Sequence, residues 1–226
     1  FEALAGLGLN SYRFSLSWAR LFPRADMTEP DPAGITFYRE VIAAAKKNGL
    51  KPHVSLFHFS TPEWFWEEQG GEQGWERKDA LQHWNRYVTA VSELLGPEIS
   101  HWCTLNEPMV YVLWGYLEGI FPPLEQRANP EATAPVVARL LEAHASAYQI
   151  LHRDAAQRHQ SIKVGLTQHT RAFEPWRNWH LFDRLAASFI QQAFIWDIFD
   201  AIESGTYTMT DSEYQRTIDG LEGTQD

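Results

Sequence analysis

The sequence has one cysteine, no long apolar run and no cluster of basic residues, and each absence excludes a class of protein. Cys103 has no partner for an intrachain bridge, so no disulfide framework holds the fold, and a single thiol favours a cytoplasmic location. No apolar run approaches the roughly 20 residues of a membrane span, so none is predicted. The formal net charge of −10 opposes a phosphate backbone and argues against a nucleic-acid partner.

Aromatic residues are what the sequence has in excess. They make up 14% of the chain, with 10 Trp and 13 Phe among 226 residues. Aromatic side chains often line concave sites for ligands with flat apolar faces, and sugars are such ligands. A bulky core explains the same composition and is the interpretation that composition alone favours. The chain length allows one large domain or two small ones.

Short strand patterns alternate with longer helical patterns along the chain. The strand patterns lie at residues 11–18, 51–59, 100–106 and 161–169. The helical patterns lie at residues 34–47, 79–95, 133–158 and 179–202, the last with a possible break into two pieces. This alternation predicts an α/β fold with a parallel sheet built from right-handed βαβ units, in a single domain over residues 1–226.

Arg13 lies among serines on the polar face of the first strand pattern. If that face lines the interior of a parallel barrel, the buried guanidinium needs a carboxylate partner. If the strand is at the edge of a sheet, Arg13 is an exposed charge. The strand alone leaves both interpretations open.

Functional groups of parallel α/β folds collect at the carboxyl ends of the strands. In this chain those ends carry residues 18–20, His58-Phe59, Asn106-Glu107-Pro108 and Gln168-His169. Glu107 has apolar neighbours in Leu105 and Met109, which disfavour its charged form and suit a general acid. An ordinary loop carboxylate explains the same spacing, and spacing alone favours that simpler interpretation.

Several sequence blocks together resemble one enzyme family. Thr104-Leu-Asn-Glu-Pro108 resembles the acid/base signature of family 1 glycoside hydrolases, the β-glucosidase family. Residues 12–23 and 55–62 resemble the second-strand and third-strand blocks of that family. Further similar positions follow in order: Gly70-Gly71, Gly74-Trp75, Trp102, Gly115-Tyr116, Gly119 and Ala143-His144-Ala145. The resemblance extends over the whole chain.

The resemblance implies a (β/α)8 TIM barrel, of which this chain carries roughly strands 2–5, and a retaining β-glycosidase. Glu107 corresponds to the acid/base carboxyl. Asn106 is expected to hold the sugar 2-hydroxyl, His58 another hydroxyl with Phe59 beside it, and Arg13 to lie under the nucleophile. Because adjacent strand residues point to opposite faces, Asn106 and Glu107 can reach one sugar only if the strand end bulges or twists.

Three departures from the family pattern accompany the resemblance. The family nucleophile lies in an Ile-Thr-Glu-Asn-Gly-like segment, and this chain has no Glu-Asn-Gly. The family's first strand also has no counterpart here, and residues 223–226 resemble only the opening of its sixth-strand block. We therefore expect an N-terminal-half fragment that is truncated at both ends and inactive alone. His169 stands where the family usually has Asn, and a structural role is favoured for it.

Two other functions stay open at this stage. The chain could be a catalytically inactive relative that binds a sugar or a partner protein. A metal-dependent barrel hydrolase is a weaker alternative, because the nine histidines show no HxH or HExxH spacing. No cofactor or metal is expected. The expected ligand is a β-glycoside or oligosaccharide, and neither its sugar nor the oligomeric state follows from the sequence.

Overall fold

The computed structural model describes all residues 1–226 and divides them into two compact units. Unit 1 comprises Phe1–Asn106, Ser146–Leu166 and Asp226, and unit 2 comprises Glu107–Ala145 and Thr167–Gln225. Each unit is described by itself below. The single domain expected over residues 1–226 stays a prediction.

The secondary structure alternates as the sequence pattern indicates. The strands are β1 (Ser11–Ser15), β2 (Lys51–Phe57), β3 (His101–Asn106), β4 (Lys163–Thr167), β5 (Thr206–Thr208) and β6 (Gln215–Thr217). The α-helices are α1 (Glu2–Gly6), α2 (Trp18–Leu21), α3 (Pro32–Lys47), α4 (Ala80–Leu94), α5 (Pro108–Val112), α6 (Ala134–Gln157), α7 (Leu181–Gln191) and α8 (Asp197–Ser204). Short 3₁₀ turns lie at Glu63–Trp66, Gly74–Glu76, Gly96–Glu98 and Pro130–Thr133, and π-helical turns at Leu113–Leu117 and Gln192–Trp196.

A four-stranded sheet in the order β1-β2-β3-β4 confirms the four predicted strands. The pairs β1/β2 and β2/β3 are parallel, as βαβ connections require. The register aligns Arg13 of β1 with His53 of β2, and His53 with His101 of β3. Since side chains alternate along a strand, the register also places Ser55 on the same sheet face as Arg13.

The first strand is shorter than the sequence pattern predicts. It ends at Ser15, and Trp18 belongs to α2 rather than to the strand. Ser17 is the N-cap of α2, and its hydroxyl accepts a hydrogen bond from the Arg20 backbone N–H at 3.2 Å. The alternation of polar and apolar residues continues to Trp18 in the sequence, but the strand does not, because the Ser17 hydroxyl caps a helix there.

The excess of aromatic residues is explained by the core of unit 1, the simpler of the two interpretations. Trp18 is 1% exposed, with ring centroids 4.9 Å from Phe65 and 5.3 Å from Tyr87. Trp75 and Trp84 are buried and lie 5.7 Å apart. Stacked, tilted and edge-to-face ring pairs of this kind stabilise a core beyond the burial of their area.

Unit 2 contains the predicted helix of residues 179–202 in two pieces. A π-helical turn joins α7 to α8, and Gly205 ends α8 with a left-handed φ of 73° before an antiparallel β5/β6 hairpin that the sequence pattern did not indicate. The continuous helical run Leu181–Ser204 has a mean hydropathy of 1.2, with 33% of its apolar window buried. Its length and composition would allow a membrane span, and core helices of globular proteins can have the same length and hydropathy. The expected absence of a span stays a prediction.

Candidate active site

Three strands of unit 1 bring Arg13 and Asn106 into direct contact. The Arg13 guanidinium donates to the Ser55 hydroxyl at 3.0 Å, to the Asn106 carbonyl oxygen at 2.6 Å and to the Cys103 sulfur at 3.5 Å. Asn106 is only 3% exposed, whereas Arg13 is exposed on the edge strand β1. The three acceptors of Arg13 are neutral groups, and the carboxylate partner expected for a buried guanidinium stays a prediction.

His58 and Phe59 follow β2 at the carboxyl edge of the same sheet. His58 is exposed, and its Nδ1 lies 3.0 Å from the hydroxyl of Ser15 on β1. The Phe59 ring packs edge-on against the His58 ring at 5.0 Å. Phe59 has a left-handed φ of 70°, so the chain leaves strand geometry directly after His58. Unit 1 thus places His58 next to the strand that carries Arg13.

Two histidines that the sequence reasoning missed align with Arg13 across the sheet, one on each of the next two strands. The rings of His53 and His101 stack at 4.4 Å with an interplanar angle of 17°. Burial, followed by the nearby charges of His101, Arg13 and Lys51, lowers the pKa of His53. The sequence could have indicated part of this arrangement, because His53 and Ser55 are two residues apart on one strand and therefore share a face of the sheet. The pairing of His53 with His101 depends on strand register, which the sequence does not fix.

Glu107 opens unit 2 with an unusual backbone conformation. Its φ of 46° and ψ of 60° are left-handed, and Pro108 begins α5 immediately afterwards. The Glu107 N–H donates to the carbonyl oxygen of Thr167, the last residue of β4, at 2.6 Å. Left-handed backbone is uncommon for non-glycine residues and marks sites where the surrounding structure imposes it. The chain therefore leaves strand geometry at Glu107, directly after β3.

The side chain of Glu107 lies beside His169 in unit 2. Its Oε1 is 3.6 Å from His169 Nδ1, and the two side chains are 29% and 30% exposed. Arg171 approaches the other ring nitrogen, with Nε at 3.0 Å and a terminal nitrogen at 2.7 Å from Nε2. Gln168 donates to the Phe194 carbonyl oxygen at 2.6 Å. The sequence reasoning noted His169 but did not foresee its contact with Glu107.

These two sets of residues offer different chemistry. Unit 1 presents a guanidinium, an amide and an imidazole, which are groups that bind hydroxyls. Unit 2 presents a half-buried carboxyl that can give or take a proton. No group of three or more His, Cys, Asp or Glu side chains is arranged to hold a metal ion.

Comparison with known proteins identifies related chains and the fold. A model of the family described as Glycosyl hydrolase family 1 matches residues 1–223. Coniferin beta-glucosidase from Pinus contorta is 35% identical over 189 residues, which are 78% of this chain and 36% of that protein. The β-glycosidase from Pyrococcus horikoshii superposes with a TM-score of 0.83 and 36% identity, over 96% of this chain and 47% of that one. The β-glucosidase from Thermotoga maritima in complex with glucoimidazole superposes with a TM-score of 0.80 and 26% identity. The superposition covers 92% of this chain and 44% of that one.

The comparisons confirm the fold class predicted from the sequence, which is an α/β fold that forms part of a TIM barrel. The chain spans less than half the length of each of these relatives. Because the family match covers nearly all of its residues, the chain belongs to glycosyl hydrolase family 1.

Proposed function

We propose that the protein to which this chain belongs is a retaining β-glycosidase that hydrolyses a terminal β-linked sugar, with Glu107 as its acid/base. The observation that carries the proposal is the Thr-Leu-Asn-Glu-Pro sequence at the carboxyl end of β3, with Glu107 in a left-handed turn directly after the strand. The relatives support the substrate class, since their names are those of β-glucosidases and one was solved with glucoimidazole.

The proposed reaction has two displacements. In the first, a carboxylate attacks the anomeric carbon, and the bonding electrons move to the glycosidic oxygen as Glu107 gives that oxygen its proton. This step leaves a covalent glycosyl-enzyme and a free aglycone. In the second, the ionised Glu107 takes a proton from water, whose oxygen attacks the anomeric carbon and displaces the nucleophilic carboxylate. The sugar keeps its β configuration, and both carboxyl groups return to their starting protonation states.

The nucleophile in this proposal comes from a segment outside the 226 residues. Retaining enzymes need a second carboxyl group about 5–5.5 Å from the first. No Glu-Asn-Gly segment occurs in this chain, which spans 47% of the Pyrococcus enzyme. The remaining half of the fold is the source we propose for that carboxylate.

Arg13 gives Asn106 a defined orientation toward the sugar. A guanidinium can only donate, so the 2.6 Å contact must be accepted by the amide oxygen of Asn106. The amide nitrogen is then the end that can donate to the 2-hydroxyl oxygen, a contact that strengthens as the sugar gains oxocarbenium character. In the same proposal His58 binds another hydroxyl of this sugar, and Phe59 packs beside it.

The test compares Glu107→Gln with the unchanged full-length protein on two β-glycosides. For a poor leaving group such as an alkoxide, kcat/KM is expected to fall by about 10²–10⁴-fold, because glutamine has no proton to give. For a 2,4-dinitrophenyl glycoside the fall in the glycosylation step is expected to be several-fold at most, because that group leaves without protonation. Proton NMR of the first-formed sugar should show the β anomer.

A matched control is Glu125→Gln, which changes a carboxylate of unit 2 that pairs with Arg127 at 2.9 Å. It should affect both substrates equally. Equal losses in the Glu107 variant would contradict the acid role, and a first-formed α anomer would contradict retention. A full-length protein that binds the sugar without turnover would instead support the inactive-relative alternative.

A further inference from the structure

We propose that His169 is a positioning residue for the acid/base carboxyl, and that Arg171 fixes the tautomer in which His169 does this. The inference rests on the proposed function of Glu107. Its basis is the group formed by Glu107, His169 and Arg171 in unit 2, where the imidazole lies between the carboxyl and the guanidinium.

The approach of His169 to Glu107 is set by the backbone and not only by two flexible side chains. The Glu107 N–H donates to the Thr167 carbonyl, two residues before His169. This hydrogen bond ties the start of α5 to the end of β4 and brings the two side chains to 3.6 Å. That separation is slightly beyond hydrogen-bond distance, and catalytic contacts of this kind commonly shorten only when substrate is bound.

Arg171 decides which nitrogen of His169 carries the proton. Both Arg171 contacts, at 3.0 and 2.7 Å, are made to Nε2. A guanidinium has no lone pair to offer, so Nε2 must accept and the imidazole is neutral. The ring proton is therefore on Nδ1, the nitrogen that faces Glu107 Oε1.

Arg171 is exposed, and two aromatic rings lie near its guanidinium. Its guanidinium carbon lies 6.0 Å from the ring centre of Phe173 and 5.9 Å from that of Phe194. The buried Phe194 ring also packs edge-on to the His169 ring at 6.0 Å. These contacts limit the rotation of both side chains, so the donor at Nδ1 keeps one direction.

A fixed N–H donor at Oε1 suits a carboxyl that changes protonation state during the reaction. When bound substrate shortens the contact, Oε1 can accept a hydrogen bond from Nδ1 both when Glu107 is protonated on Oε2 and when it is ionised. The carboxyl then keeps one orientation, with Oε2 as the oxygen that exchanges the proton in both displacements. His169 neither gains nor loses a proton in this scheme, so it acts through Glu107 and not on the substrate.

The experiment measures kcat/KM of the full-length protein for an alkyl β-glycoside and a 2,4-dinitrophenyl β-glycoside in His169→Ala and His169→Asn. In the alanine variant, kcat/KM should fall about tenfold for the alkyl substrate and less than about threefold for the 2,4-dinitrophenyl substrate. Only the alkyl leaving group needs a correctly oriented proton donor. The asparagine variant should recover most of the loss, because its amide nitrogen is close to the position of Nδ1. His180→Ala is the control, since His180 caps α7 and pairs with Asp183 away from Glu107.

The double variant Glu107→Gln/His169→Ala separates this proposal from the proposed function. If His169 acts through Glu107, its replacement should add no further substrate preference once the acid is gone. If Glu107→Gln shows no substrate preference, the proposed function fails. The positioning role is wrong if Glu107→Gln shows this preference but His169→Ala lowers kcat/KM equally for both substrates or for neither. It is also wrong if His169→Asn restores none of the lost kcat/KM. Melting curves of each variant exclude a loss caused by unfolding.

Discussion

Individual residues show which parts of the site a sequence can reveal. Asn106 and Glu107 were predicted from the resemblance of residues 104–108 to a family signature, since their place at the end of an apolar strand favours an ordinary loop carboxylate just as well. The contacts that orient these residues are harder to find. Arg13 contacts Asn106 across 93 residues, and His169 reaches Glu107 across the β3–β4 pairing. Such contacts depend on register and on local backbone turns, neither of which leaves a periodic pattern in the sequence.

His144 provides a residue-scale prediction about pH and stability. It is fully buried, and because a carbonyl can only accept, its Nε2 donates to the Thr224 carbonyl oxygen at 2.9 Å. Burial lowers the pKa of His144 from 6.5 to about 4. The unfolded chain therefore binds more protons than the folded one between about pH 4 and 6.5. The free energy of unfolding should rise with pH across this window, by up to about 3 kcal/mol from this group.

The variant that tests this is His144→Gln, measured by urea denaturation of the full-length protein at several pH values. Glutamine can keep a donor to the Thr224 carbonyl but has no titration in this range. We expect a smaller change in the free energy of unfolding between pH 4 and 6.5 than in the unchanged protein. The same change in both proteins would show that other groups cause the pH dependence.

At the scale of elements, strand and helix positions were predictable and their ends were not. The apolar spacing of α3, α4 and α6 and the four sheet strands follow patterns that burial imposes on a sequence. The ends depend on single polar groups, such as the Ser17 hydroxyl that caps α2, or on local turns such as Phe59. The β5/β6 hairpin has strands of three residues, too short for alternation to be distinguished from chance.

The connection after β2 depends on Arg77, and this gives an element-scale prediction. The side chain is 2% exposed, binds Asp79 through two contacts of 2.8 Å, and donates to the Trp64 carbonyl oxygen at 3.1 Å. These hydrogen bonds hold the pKa of Asp79 below its usual value. Lysine lacks the planar fork needed for these contacts together. Arg77→Lys should lower the free energy of unfolding by about 2–3 kcal/mol and speed proteolysis between residues 60 and 78.

Arg24→Lys is the matched control for that change. Arg24 pairs with Asp26, and the two side chains are 70% and 79% exposed. An exposed ion pair contributes little to the free energy of unfolding. In urea denaturation, the free energy of unfolding of this variant should therefore stay within about 0.5 kcal/mol of that of the unchanged protein. If Arg77→Lys is equally mild, the buried contacts do not hold the connection as the structure suggests.

At the scale of the whole molecule, the family is evident from the sequence because its motifs recur in order along the chain. The sugar specificity is not evident from the sequence, because the residues of this chain contact only part of a sugar in the proposed mechanism. Phe182 and Leu185 are 72% and 54% exposed on α7. Apolar side chains exposed together on one element favour contacts with other protein surface. In the proposal, the described residues supply an acid/base and sugar-binding groups, and the remaining groups come from other protein surface.

This division leads to the prediction for the 226-residue chain expressed alone. A double displacement needs two carboxyl groups, and the chain supplies only the one that moves protons in our proposal. Protonation without a nucleophile leaves the glycosidic bond uncleaved. Incubation with an aryl β-glucoside should therefore release no phenol above the uncatalysed rate, while the full-length protein in the same assay should show turnover. Release of phenol by the 226-residue chain above the uncatalysed rate would show that a second carboxylate within these residues completes the site.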